Sequence, residues 1–315
     1  MSGKIVTLSG GVGGAKLVLG LSHILSGDDL IVACNTGDDF DHLGLRVCPD
    51  IDSVLYALSG LSDQERGWGR RDETWTFMAA LKELEGPGWF NLGDGDLATH
   101  VLRTDLLRNG SSLSEVTAEL AKRLGIEARI LPMSDHSVST IVNTPSGDLA
   151  FQNYFVEQQC KPTVTGFSFD GLNDANPQAD IIQALQDTPK AILIAPSNPY
   201  VSVDPILKLP GMREALEGAN APIVAVSPIV GGQALKGPAA KMMQELGKDV
   251  SVLGIAHHYQ GLINGLVIDV QDAAHAPAIH AMGIKTLVTH TVMTNIEERI
   301  KLAGETVEFA RRIVS

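Results

Sequence analysis

Short apolar runs alternate along the whole chain with segments whose apolar positions recur every three or four residues. The strand-like runs cover residues 4–8, 30–35, 128–131, 140–143, 148–156, 191–195, 223–227, 250–255, 266–269 and 286–289. Helical periodicity covers 16–25, 52–61, 181–186, 212–216, 239–246 and 295–313, and 74–124 is rich in helix. Unbroken apolar strands separated by amphipathic helices need cover on both faces. The pattern therefore predicts an α/β fold with a doubly wound, mostly parallel, Rossmann-like sheet. The stretch from about 63 to 167 breaks this rhythm and holds all three tryptophans, Trp68, Trp75 and Trp89. It reads as a helical and β cap inserted over the carboxyl edge of the sheet, where open α/β proteins bind ligands. No repeat, low-complexity tract or proline-rich linker divides the chain, so residues 1–315 read as one α/β domain with that insertion.

The first strand runs straight into Ser9-Gly10-Gly11-Val12-Gly13-Gly14-Ala15-Lys16 and then a helix. Glycines between a strand and a helix let backbone N–H groups curl around an anion with the positive helix end behind them. Gly10, Gly11, Gly13, Gly14 and Lys16 are thus the candidate phosphate cradle. The spacing is not the Walker pattern, because Leu17 follows the lysine, and it is not a clean dinucleotide fingerprint. The competing reading is a tight turn with glycines chosen for close packing.

Composition narrows the ligand. The formal net charge of −13 argues against a nucleic-acid partner, which needs clustered Lys and Arg. An acidic protein holds a polyphosphate through backbone amides and a divalent metal instead. With 44% hydrophobic residues and a mean hydropathy of +0.10, the chain can bury a large core. No apolar run reaches the roughly 20 residues of a membrane span, and the N-terminal pattern is not that of a signal peptide. A cytoplasmic protein with no membrane partner is expected. Cys34, Cys48 and Cys160 are scattered and read as small hydrophobes rather than metal ligands or a disulfide framework. A homodimer is compatible with this pattern, though nothing in it requires one.

Polar and acidic residues collect where strands end. Asn35, Thr36, Asp38 and Asp39 follow the second strand, with Asp41, His42, Asp50 and Asp52 close behind. Such a cluster is costly without a cation, and Mg²⁺ accepts carboxylate oxygens while bridging phosphates, which makes Asp38, Asp39 and Asp50 the candidate metal ligands. The alternative is turn formation, with Asp52 as a helix N-cap. Trp89 and Phe90 read either as core or as the wall of an aromatic pocket, and Asp94 and Asp96 open the next helix, where one of them suffices as its cap. Ser197 and Asn198, framed by Pro196 and Pro199, form a rigid donor-rich loop after another strand. The segment from Ser227 to Lys236 repeats that logic, and a structural turn is the rival reading for both. His257 and His258, placed on an extended run, point in opposite directions. No nucleophile elbow or triad order is present, so covalent acyl chemistry is not expected.

In order and spacing, Ser9-Gly-Gly-Val-Gly-Gly-Ala-Lys16, Asn35-Thr-Gly-Asp-Asp39, Pro49-Asp-Ile-Asp52, Leu92-Gly-Asp94, Pro132-Met-Ser-Asp135, Pro196-Ser-Asn-Pro199 and Ser227-Pro-Ile-Val-Gly231 together resemble the 2-phospho-L-lactate transferase family of deazaflavin coenzyme F420 biosynthesis. The resemblance implies Mg²⁺-dependent transfer of a phospho-organic acid group from a guanylylated donor to the ribityl hydroxyl of the deazaflavin Fo, with release of GMP. It implies contact of Asp52 with Fo and a catalytic role for Asp50 or Asp52. Asn91 and Asp94 are implied on the Fo side, and Asn35, Thr36, Ser197 and Asn198 on the donor side. The family carries a basic residue at the position of Asn91 and often an arginine at that of Gly95, so this chain lacks two positive charges there. A competing resemblance is to nucleotide-sugar-binding regulators without transfer chemistry. The Pro49–Asp52 and Leu92–Asp94 motifs favour the transferase.

Overall fold

Runs of four or five apolar or β-branched residues form the inner strands of a parallel sheet that is covered on both faces, as such sheets require. The computed structural model describes residues 3–63, 66–235 and 237–314, so Lys236 of the predicted third loop lies outside the described residues. Its central sheet contains β1 Ile5–Ser9, β2 Leu30–Cys34, β3 Arg129–Pro132, β4 Ala191–Ile194, β5 Ile223–Val226, β6 Gly265–Asp269 and β7 Lys285–Thr289. All neighbours pair in parallel, in the order β3-β2-β1-β4-β5-β6-β7. The direction of winding reverses between β1 and β4, which opens a crevice at their carboxyl ends.

Alternation along the strands divides the core in two. Val6, Leu8, Ile31, Ala33, Ile192 and Ile194 face one helical layer, while Ile5, Leu30, Val32, Cys34 and Leu193 face the other. The second layer holds α1 Gly11–Ser22, α2 Pro49–Leu58 and, further on, α5 Leu113–Arg123, with α3 Thr76–Glu83 and α4 Asp94–Arg108 leading into it along the chain. The first layer includes α6 Val252–His258. The closing helix α7 Ile296–Val314 crosses back to pack on α1. A Cβ on Gly20 of α1 would lie 2.1 Å from the Arg299 carbonyl oxygen, so the glycine is what lets these two helices touch.

The predicted fold class holds, with three local corrections. Residues 250–255 are not strand, because a helix begins at Val252: the Ser251 hydroxyl accepts the Leu253 and Gly254 N–H groups, and the buried Val252, Ile255 and Ala256 recur at helical spacing. His257 and His258 are therefore helical neighbours, and His258 Nε2 lies 2.8 Å from Asp204 Oδ1. Of 148–156 only Leu149–Ala150 is strand, and the chain then coils into the wide turn Asn153–Glu157. Finally, the region 63–167 is not all cap, because α5 and β3 belong to the main layers. What rises beyond the sheet is the hairpin of Phe40–His42 with Leu45–Val47, the segment carrying α3 and α4, and a three-stranded sheet of Ser139–Asn143, Leu149–Ala150 and Gly166–Asp170. That small sheet reaches the second strand's loop through Thr140, whose N–H donates to the Gly37 carbonyl at 2.7 Å.

Packing at the α1–α7 contact predicts opposite effects for two glycines. Gly20→Ala should lower unfolding free energy by about 1–3 kcal/mol, because its methyl meets backbone. Gly304→Ala, in open space within α7, should raise it by about 0.5–1 kcal/mol. Urea titration of both variants checks the pair, and equal effects would contradict this helix contact.

Candidate active site

The crevice at the ends of β1 and β4 is built by two loops locked to each other. The Ser197 hydroxyl accepts the Gly10 N–H at 3.1 Å and donates to the Gly10 carbonyl at 2.7 Å. A Cβ on Gly13 would come within 2.4 Å of the Pro196 carbonyl oxygen, and Gly11 has φ +64, so both positions call for glycine. Asn198 accepts the Tyr200 N–H at 3.0 Å and shapes the turn that follows. Ser197 and Asn198 thus hold the crevice together through their side chains. Within the cradle, the Gly10 and Gly11 N–H groups are engaged, the latter by Asp50 Oδ1 at 2.6 Å. The N-cap residue Gly10 has no side chain to cap α1, and beyond the Gly11 N–H held by Asp50 the positive end of the helix faces the crevice. Lys16 turns elsewhere and donates to the Met293 carbonyl at 3.1 Å.

Beside this helix end sits an excess of buried negative charge. Asn35 donates to Asp50 Oδ2 at 2.9 Å and to the Val201 carbonyl at 3.1 Å, and its own oxygen accepts the Gly37 N–H at 2.9 Å. Asp38, Asp39, Asp50, Asp52 and Thr36 are all buried. Asp39 Oδ1 and Oδ2, Asp38 Oδ1 and Thr36 Oγ1 have no hydrogen-bond partner among the described residues. Burial pushes the Asp39 carboxyl up to about 7, opposed by Arg46, whose Nη2 is 3.8 Å away. Burial likewise lifts Asp50 to about 6. Asp38 is raised well above the usual carboxylate range by burial and by the charge of Asp50. Asp52 differs: it is not the N-cap of α2, a position held by Cys48, but pairs through both oxygens with the fully buried Arg103 of α4. Among the described residues no three His, Cys, Asp or Glu side chains converge to hold a metal by protein atoms alone. The orphaned oxygens of Asp38 and Asp39 nonetheless suit Mg²⁺, which commonly takes one or two carboxylates and completes its shell with substrate phosphates and water. Cys34 and Cys48 lie buried beside this cluster, their thiols pushed up by burial, as small hydrophobes would be.

The outer part of the site is made by cap residues. Trp89 and Phe90 are half-buried and cluster with Phe40 and His42, with ring centroids 4.9 Å apart for Phe40–Phe90 and 5.2 Å for His42–Trp89. Neither Asp94 nor Asp96 caps its own helix. Asp94 reaches across to the start of α3, accepting from Thr76 N and Phe77 N at 3.0 Å each and from Thr74 Oγ1 at 2.6 Å, and these bonds hold its carboxyl at about 2. Glu73 returns the contact by accepting from Gly95 N and Asp96 N, both at 2.7 Å, at the start of α4. The N-cap position of α4 is glycine, Gly93, so these two carboxylates bridge the helices instead.

Comparison with known proteins is decisive at this point. The family model described as 2-phospho-L-lactate transferase CofD matches residues 5–302. The chain belongs to the CofD family. It is 42% identical over 293 residues to a 2-phospho-L-lactate transferase of Methanococcoides burtonii, covering 93% of this chain and 95% of the relative. It is 38% identical over 316 residues to a phosphoenolpyruvate transferase of Streptomyces griseus, covering 98% and 99%. A solved structure of a UPF0052 family member from Bacillus halodurans shares the fold, with TM-score 0.62, 17% identity and coverage of 98% and 99%. In this CofD-family chain an arginine from another segment stands beside Gly95. Arg70 Nη1 donates to the Gly95 carbonyl at 3.3 Å, and its Nε lies 3.2 Å from where a Cβ of residue 95 would stand. Asn91 remains an exposed neutral side chain. His100 follows Asp96 at helical i,i+4 spacing, but Arg46, Arg70 and Arg103 belong to no motif with a fixed spacing to the aspartates they meet. Only the fold brings them there.

The raised carboxyls make stability depend on pH with a definite sign. The folded protein keeps Asp39 protonated up to about pH 7, whereas the unfolded chain ionises it near its ordinary 3.8. The folded state then binds the extra proton, so stability falls as pH rises between these values. In chelator-containing buffer the parent should lose about 2 kcal/mol more than Asp39→Asn between pH 5 and pH 8. Urea midpoints at the two pH values check this, and parallel losses would refute it.

Proposed function

We propose that the protein transfers a phospho-organic acid group from a guanosine-diphospho donor to the ribityl hydroxyl of Fo, releasing GMP, with Mg²⁺ as cofactor. The observation that carries this reading is unbalanced charge: among the described residues four buried carboxylates are met by two arginines, Arg46 and Arg103, beside the start of α1 at the sheet's point of reversal. A diphosphate with a divalent ion satisfies both halves of that imbalance. The family membership supports transfer over simple binding.

The residues divide the work. The first turn of α1 receives the diphosphate, while Gly13 lets the Pro196 loop close beside it. Asp38 and Asp39 would hold Mg²⁺, which when bound would neutralise charge on the transferred phosphate. Asp52 orients the hydroxyl of Fo. Asp50, its proton affinity raised toward neutrality, receives the hydroxyl proton as the new P–O bond forms and the bond to GMP breaks. The half-buried rings of Phe40, Trp89 and Phe90 offer a wall for the planar ring system. Relatives named for phospholactate and for phosphoenolpyruvate match this chain nearly equally, so the acid carried is lactate, enolpyruvate or a close analogue such as glycerate.

Purified protein given Fo, Mg²⁺ and each guanylylated donor in turn should form one coupled product and equimolar GMP, read by mass spectrometry. Saturable quenching of Fo fluorescence without turnover would support a binding protein and defeat the transferase reading. Asp50→Asn should lower kcat by roughly 100-fold or more, at a cost in stability that leaves the protein folded. Asp52→Asn also leaves Arg103 buried without its counter-charge, which costs about 3 kcal/mol. Its turnover is therefore expected to fall even when counted per folded molecule, and unchanged turnover would remove Asp52 from the reaction.

A further inference from the structure

Arg103 sits in the middle of α4 with no exposed surface, and its guanidinium ends on another helix. One nitrogen, Nη1, donates to Asp52 Oδ2 at 3.1 Å, and Nη2 donates to Asp52 Oδ1, so the fork grips both carboxylate oxygens. Nη1 also lies 3.1 Å from His100 Nδ1. A guanidinium only donates, so this ring nitrogen accepts and the ring proton is carried on Nε2. His100 Nε2 stands 3.2 Å from Asp96 Oδ2, an electrostatic contact without hydrogen-bond alignment, and the other oxygen of Asp96 accepts the Tyr56 hydroxyl at 2.5 Å. One polar chain thus begins on Tyr56 of α2, crosses to Asp96, His100 and Arg103 on α4, and returns to Asp52 at the start of α2.

We propose that Arg103 is a positioning residue that sets the orientation of Asp52, with Tyr56, Asp96 and His100 holding Arg103 in turn. The proposal rests on the transferase reading for the role of Asp52. Stability alone does not account for the arrangement, because a buried ion pair is commonly no better than apolar side chains of the same volume. Direction does account for it, because a carboxylate held by a planar fork has one orientation, while a lone one rotates. The start of α4 is itself fixed by Glu73, and Asp94 ties α4 to α3. The placement of the cap segment therefore reaches Asp52 through a single rigid helix.

Arg103→Lys keeps the positive charge and loses the fork. It should lower kcat by roughly 10-fold or more per folded molecule, with the KM for the guanylylated donor within about twofold of the parent, since the donor binds at α1. A merely structural Arg103 would lower the thermal midpoint and leave kcat per folded molecule unchanged, and that result overturns the proposal. Should Arg103→Lys fail to fold, His100→Asn keeps an acceptor for Arg103 but loses the reach to Asp96. A smaller fall in kcat with the same donor KM is then expected, and a kcat within about twofold of the parent overturns the proposal. Crystal structures of the parent and Arg103→Met decide the geometry without turnover: a rotated or disordered Asp52 carboxylate is expected, and an unchanged one is fatal. A parent that releases no GMP would sink the reaction assignment, while the crystal comparison still judges the positioning.

Discussion

Everything at the site depends on how closely two loops approach where the sheet reverses. Only a hydrogen atom on Gly13 fits against the Pro196 carbonyl, and Ser197 ties its hydroxyl to both backbone groups of Gly10. This contact fixes the start of α1 at the mouth of the crevice and aims the N–H groups beyond Gly11 outward. A methyl at that position would separate β1 from β4 at their carboxyl ends and turn the helix end away. The glycines serve geometry first and ligand binding second, because the amides of Gly10 and Gly11 are already engaged.

Charge is the second constraint. Four buried carboxylates would be untenable in a dry site without compensation, and the protein compensates each differently. Asp52 has a guanidinium, Asp50 has an amide and a backbone N–H, Asp39 has a more distant arginine, and Asp38 has little beyond Asn35 and the chance to hold a proton. The gradient from a fully paired to a nearly unpaired carboxylate separates tasks among chemically identical side chains. A paired one can orient a neutral hydroxyl, and unpaired ones suit a cation.

The cap contributes order as well as cover. Glu73 and Asp94 each seal the start of the other's neighbouring helix, so α3 and α4 are bound by two charged caps rather than by apolar burial. No residue of α3 is fully buried. Arg70 arrives through the same segment to stand beside Gly95. The cap is thus polar in its attachment and aromatic where it faces the outer site, with Trp89, Phe90, Phe40 and His42 in mutual contact.

The alternation of apolar runs and amphipathic helices was enough to give the doubly wound parallel sheet, since strands buried on both faces admit few other arrangements. The glycine loop, the carboxylates after the second strand and the Ser197 loop were legible for a related reason: the carboxyl ends of parallel strands share one edge, so residues just past a strand meet there. Short apolar segments were less legible, and 250–255 gave way to a helix beginning at Val252 because Ser251 supplied a cap that an alternating pattern does not reveal. The arginine partners of the aspartates were not legible. Arg103 lies 51 residues from Asp52 and Arg70 lies 25 from Gly95, and such contacts follow from how α4 and the cap fold back over α2. Local pattern determined the sheet and the edge on which chemistry collects. Which carboxylate is paired, which is orphaned and which cation stands where was decided by tertiary packing, because burial and counter-charge are properties of the assembled interior.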